Sequence, residues 1–216
     1  MAEVVNKQKR GIKNVHIAII TEDTVEKYET GEVIAWPGAR ELSTTNSVST
    51  EKVYADDDLI DVRKAEGATE RDLTVTNIPD EIASKVLGDY FDKTTGLYVV
   101  KKNSKPVYVA VGYDTGETDG TRTYVWNYKC VIARPDESVK TNDESTDASD
   151  TTLKITLLDT IHKIELADDE GNTELVSMNQ THIKQSNCPV DLKEFWFETV
   201  KTPVEIKETI TSKIGE

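Results

Sequence analysis

Two cysteines, three histidines and six prolines are few for a chain of 216 residues, and each shortage removes a class of function. Cys130 and Cys188 lie far apart, and neither belongs to a C-x-x-C or Cys/His cluster. Both are expected as reduced thiols, Cys130 in a buried strand position. His16, His162 and His182 are isolated from one another, and no H-E-x-x-H, G-x-S-x-G or Rossmann glycine pattern is present. No catalytic, cofactor or metal site is therefore expected, and the chain does not read as an enzyme. Apolar runs long enough to span a bilayer are missing. The start, "MAEVVNKQKRGIKN", lacks the apolar core and cleavage site of a signal peptide, so a soluble protein made in a cytoplasm is expected. Clusters of Lys and Arg are also missing. With 26 basic against 40 acidic residues the formal charge is −14, which repels phosphate backbones and disfavours sequence-specific DNA binding.

What is present is β structure, in what reads as a single domain over residues 1–216. "NVHIAII" puts Val15, Ile17 and Ile19 on one strand face, and "EVIAWPG" is a second strand stopped at Pro37-Gly38. The following "ARELSTTNSVSTEKVYADDDLIDVRKAEG" reads as an extended hairpin, polar on both faces and poorly suited to a core. Its centre, residues 44–66, is a long loop or hairpin. "TERDLTVTNI" is a further strand with Leu73 and Val75 inward.

A short amphipathic helix is predicted at 79–87, with Pro79 at its start, Asp80 and Glu81 at its positive end and Gly88 as its stop. "GLYVVKK", "KPVYVAVGY" and "RTYVWNYKCVIAR" are strands, the last two joined by the hairpin loop "DTGETDG". In the third, Tyr124, Trp126, Tyr128, Cys130 and Ile132 are expected on one face. Residues 135–151 are nearly devoid of apolar groups and read as a polar mobile loop. "TLKITLLDTIHKIEL" resumes the strand pattern and a Gly171-Asn172 turn follows. Leu192, Phe195, Trp196 and Val200 suit a helical face, whereas 203–216 looks like a loose strand or flexible tail. Three consecutive aromatics, Phe195, Trp196 and Phe197, cannot share one interior, so one at least should contact another element or subunit. Together these describe a mainly β protein of seven to nine strands, an antiparallel sandwich or barrel with one flanking helix.

Asp56-Asp57-Asp58 reads as a solvated acidic face, since along a strand Asp57 points opposite to its neighbours and no calcium-loop spacing follows. "YDTGETDGT" fits neither a calcium loop nor a phosphate cradle.

Five segments, in order, carry a resemblance: "GIKNVHIAIIT", "GEVIAWPGARELS", "KVYADDDLIDV", "EGATERDLTVTNIPDEIASKVLG" and "PVYVAVGYDTGETDGTRTYVWNYKC". Over about residues 11–133 the chain resembles the major tail tube proteins of long-tailed, non-contractile bacteriophages of the Gram-positive-host type. The resemblance implies a β sandwich with one flanking helix, in hexameric rings that stack into a hollow tail tube through which DNA passes. It implies as partners other copies of the chain, the tape measure protein, the tail terminator and the baseplate or distal tail proteins. Phage DNA would pass without specific binding, no membrane would be involved, and the protein would reside in the virion tail after synthesis in the host cytoplasm. On this reading Glu51, Lys52, Tyr54, Asp56, Asp57, Asp58, Asp61 and Arg63 face the channel or the ring-to-ring surface. Two other readings stand beside it: a β-sandwich receptor- or carbohydrate-binding module using Tyr124, Trp126 and Tyr128, and the tube protein of a phage-derived tail-like particle.

Overall fold

The computed structural model describes residues 9–55, 58–102, 105–136, 150–167 and 171–215. The β-prone runs all pair antiparallel. The strands are β1 (Lys9–Asp23), β2 (Tyr28–Thr30), β3 (Ile34–Trp36), β4 (Ala39–Ala55), β5 (Asp58–Val75), β6 (Tyr90–Asp92), β7 (Leu97–Val99), β8 (Tyr108–Glu117), β9 (Arg122–Ile132), β10 (Thr151–Leu158), β11 (Lys163–Ala167), β12 (Thr173–Ser177) and β13 (Gln180–Lys184). One sheet runs in the order β2-β1-β8-β9-β10-β5-β4, with β3 added to β1 and β13 to β9; β6-β7 and β11-β12 form separate hairpins. The described residues thus hold more strands than the seven to nine expected. The additions include β2 and β6, three-residue strands too short to show a period, and β12 and β13, which follow the Gly171 turn.

The helix forms where its signals place it, as α1 (Asp80–Leu87), with Asp80 and Glu81 in the first turn and Gly88 in the left-handed conformation at φ 72°. Ile82 and Val86 bury against Val15, Ile17, Leu73, Val75 and Ile155 in a first core on one side of the sheet.

The other side of the sheet carries a second core, and a bulge in β9 makes both possible. Val109 of β8 lies opposite Cys130, but Val111 lies opposite Asn127. Three residues of β9 are therefore spanned by two of β8, and the side-chain alternation reverses at the extra residue. The expected single stripe is corrected by this register. Tyr124, Trp126 and Tyr128 face the second core, while Cys130 and Ile132 face the first. The bulge falls where the far edge of β9 changes partner, from β13 along residues 123–127 to β10 along 129–132. Cys130 and Cys188 are free thiols, and burial pushes Cys130 up to about 12.

The second core is closed by the C-terminal part of the chain, where two expectations are overturned. Residues 192–200 form a single 3₁₀ turn, Leu192–Glu194, instead of a helix; Phe195, at φ −133°, leaves helical space. That irregular backbone lets adjacent Phe195 and Trp196 both be buried while Phe197 stacks on His16 at 4.2 Å. All three aromatics are thus used within the chain. Residues 203–214, expected as a loose strand or tail, are helix α2 (Pro203–Ile214). Thr202 and Glu205 satisfy each other's backbone amides in a capping box, Pro203 opens the helix, and Ile206 is buried in the second core. Most of the polar segment 135–151 lies outside the described residues.

Trp126 is seated over Gly112, its cross-strand partner. A Cβ on Gly112 would come within 2.7 Å of the indole. Gly112→Ala is expected to destabilise the chain by about 1–3 kcal/mol through forced displacement of the ring. Urea unfolding monitored by tryptophan fluorescence checks this; an unchanged midpoint would show that the ring has room.

Candidate functional site

The longest structural feature is also the one with least to bury. β4 and β5 pair from Ala39 opposite Val75 down to Ala55 opposite Asp58. β10 covers β5 only from Thr69 to Val75, so among the described residues 58–68 of β5 pair with β4 alone. At roughly 3.3 Å per residue, this two-stranded arm extends about 35 Å beyond the sheet. A lone ribbon of two strands is marginal in water unless something else covers it.

The arm begins at a bulge. Asn46 lies opposite Thr69 but Val48 lies opposite Glu66, which gives β5 an extra residue at Gly67 or Ala68. Gly67 lies against Ser47, where a Cβ would stand 3.1 Å from the Ser47 Cβ and 3.2 Å from its carbonyl. A bulge there re-aims the arm relative to the sheet just where β10 ends. A second shift follows between Val53 and Tyr54, whose partners are Asp61 and Leu59.

The backbone register brings the sequence-predicted residues together in this arm. Glu51 stands opposite Arg63, Lys52 opposite Val62, Tyr54 opposite Leu59 and Asp58 opposite Ala55. Asp58 and Asp61 are exposed, and Asp61 accepts a hydrogen bond from the Val62 amide at 2.8 Å. Asp56 and Asp57 lie outside the described residues. Ile60 and Val62 are 62% and 48% exposed, so the arm carries apolar groups in contact with water as well as acids. β4 ends the sheet, and its outer row of amides and carbonyls has no strand partner among the described residues.

Carboxylates in the body of the fold are treated differently. Asp23 accepts hydrogen bonds from Lys129 at 2.7 Å and from the Ile161 and His162 amides, tying β1 to the β10–β11 loop. Burial alone raises its carboxyl, but the Lys129 bond and the two amides hold it below its ordinary 3.8. Asp89 is likewise opposed by burial and held low by Tyr98, the Lys101 amide and Arg134. Asp114, from the acidic stretch beside the β8–β9 turn, is fully buried between Asn14 and Arg122. It is a structural ion pair.

No three His, Cys, Asp or Glu side chains among the described residues are placed to share a metal. Among the described residues, no helix is long and apolar enough to cross a membrane. The geometry that remains is an open strand edge and a protruding arm. A phage tail tube protein family model matches residues 7–185. The chain belongs to the phage tail tube protein family. No curated protein matches it at a significant level. This is a family of structural proteins of the phage tail and not a family of enzymes. The tail tube match spans the arm, the bulged β9 and α1, and stops before the 3₁₀ turn and α2.

Asp23 and Asp89 give the tail tube protein a defined acid limb. Both carboxyls sit below 3.8 when folded and return to it when unfolded, so their contribution is complete above that value and is lost as pH falls through the lowered values. Urea unfolding from pH 6 to pH 2 should show stability declining below about pH 4, with a shallower decline in Asp23→Asn and Asp89→Asn. An unaltered slope in both variants would count against these networks.

Proposed function

We propose that this tail tube protein assembles into hexameric rings that stack into a hollow tube for DNA delivery, with the β4–β5 arm reaching a neighbouring copy or ring. The observation that carries the reading is the arm itself, a long paired ribbon with exposed Ile60 and Val62 and an open β4 edge, in a chain whose family builds tail tubes. Such an edge is completed most economically by another copy of the same chain, because its register and polarity repeat.

The charge balance supports a conduit. Six copies at −14 each bring a formal −84 per ring, and acidic walls would leave duplex phosphates hydrated where Lys or Arg clusters would hold them. Glu51, Lys52, Tyr54, Asp56, Asp57, Asp58, Asp61 and Arg63 are the residues assigned to the lumen or ring contact. At its two ends the tube would meet the tail terminator and the baseplate proteins, and the tape measure protein would occupy its lumen before DNA does. The site of action is the virion tail.

Replacing residues 48–66 with an Asn-Gly turn is expected to leave a folded, soluble chain that forms no tubes in negative-stain microscopy, at concentrations where the wild type grows filaments of constant width. Tubes of normal width from the shortened chain would overturn the arm's role. Changing Asp56, Asp57 and Asp58 to Lys is expected to leave tubes intact while slowing DNA delivery, read as infectivity of complemented phage. Undiminished infectivity would remove the acidic wall from the mechanism.

A further inference from the structure

Arg71 stands where an apolar residue is due. In β5 it shares the inward face with Leu73 and Val75, and it is only 6% exposed. Its guanidinium donates to the Tyr113 hydroxyl and to the Gln180 side-chain oxygen, both uncharged, and its Nε is buried with no partner. Among the described residues no carboxylate pairs with it. A buried cation held by neutral groups alone is poorly compensated, because hydroxyl and amide oxygens replace only part of its hydration.

The surroundings deepen the imbalance. Arg71 lines a cavity of about 600 Å³ between the β1-β8-β9-β13 part of the sheet and the root of β4-β5. Lys9, Arg40, His182 and Lys184 also line it, against one acid, Glu41. Arg40 and Lys184 already have carboxylate partners in Asp150 and Glu117, at 2.7 and 2.8 Å. With those two partners and Glu41 counted, four formal cations still meet three carboxylates around the cavity, in a chain with 14 more acidic than basic residues.

We infer that this cavity is a carboxylate receptor, and that its occupant is an acidic side chain of a second copy of the chain, received by the Arg71 guanidinium. Two of its five N–H groups are engaged; Nε–H is buried without a partner, and the second N–H on each of Nη1 and Nη2 remains to receive a planar oxyanion. The second copy follows from supply and position. The chain carries 40 carboxylates, and the cavity opens beside the root of the arm, where a copy completing the β4 edge would lie. This identification of the occupant rests on the assembly reading above. The receptor itself does not.

The test compares wild type with Arg71→Met, which keeps an unbranched side chain without charge, and with Arg71→Lys, which keeps charge without the planar fork. Dilute, unassembled protein is heated in sodium acetate, sodium phosphate or sodium chloride at equal ionic strength. Assembly is followed separately by light scattering against concentration. Acetate is expected to raise the wild-type midpoint by several degrees over chloride and over phosphate, and to do nothing for Arg71→Met. The variant should need at least tenfold more protein to grow tubes, and acetate should inhibit wild-type growth. Equal acetate response in wild type and Arg71→Met overturns the receptor. A larger response to phosphate overturns the carboxylate class. An acetate response with unimpaired Arg71→Met assembly overturns the second copy as occupant. Should Arg71→Met fail to fold, Arg71→Lys decides: a full acetate response and normal growth overturn the inference, and loss of both upholds it. Wild type that never assembles defeats the ring reading and its occupant, while the acetate comparison still decides the receptor.

Discussion

One extra residue in β9 organises the molecule. A regular strand offers one face to one core, and here a single strand must serve two. The bulge between Asn127 and Cys130 turns Tyr124, Trp126 and Tyr128 toward the second core and Cys130 and Ile132 toward the first, without interrupting the strand. Everything on the second side depends on it. Trp126 donates its indole N–H to the Trp196 carbonyl at 3.0 Å, and Tyr128 donates its hydroxyl to the Lys201 carbonyl at 3.0 Å. Those bonds anchor the segment leading into α2, so the C-terminal helix is held by aromatic tips that would face the first core in an unbulged strand.

The same device recurs where the body of the fold gives way to the arm. The extra residue, Gly67 or Ala68, lies just beyond the last pairing with β10 at Thr69, and the ribbon continues alone. One bulge fills an interior, the other ends it. The first belongs to a body in which buried carboxylates are paired, Asp23 with Lys129 and Asp114 with Arg122. The second releases a ribbon with exposed Ile60 and Val62 and, among the described residues, an outer β4 edge without a strand partner.

Much of this is legible in the residues. Period-two alternation in "NVHIAII" and "TLKITLL" marks strands, and Pro79, Asp80, Glu81 and Gly88 mark α1, because those signals are local. The arm is legible as a polar hairpin for the same reason. The bulge in β9 is not, since it is set by the change of partner from β13 to β10, a long-range event. Helix α2 does have a local signal, the Thr202-Pro203-Val204-Glu205 capping box, which the weak apolar periodicity after it obscures. Arg71 also leaves a trace, as the one charged residue at an inward position of "RDLTV". Only the folded arrangement shows that its partners, Tyr113 and Gln180, are neutral.

The family match ends at residue 185, yet Leu192, Phe195, Trp196 and Ile206 lie beyond it and roof the aromatic side of the sheet. The stretch matched by the family model is therefore shorter than the stretch that packs together. A fragment trimmed to the matched boundary would leave Trp126 and Tyr124 bare to water. Expression work with this chain, and comparisons of its relatives by matched length alone, should treat the C-terminal lid as part of the folding unit.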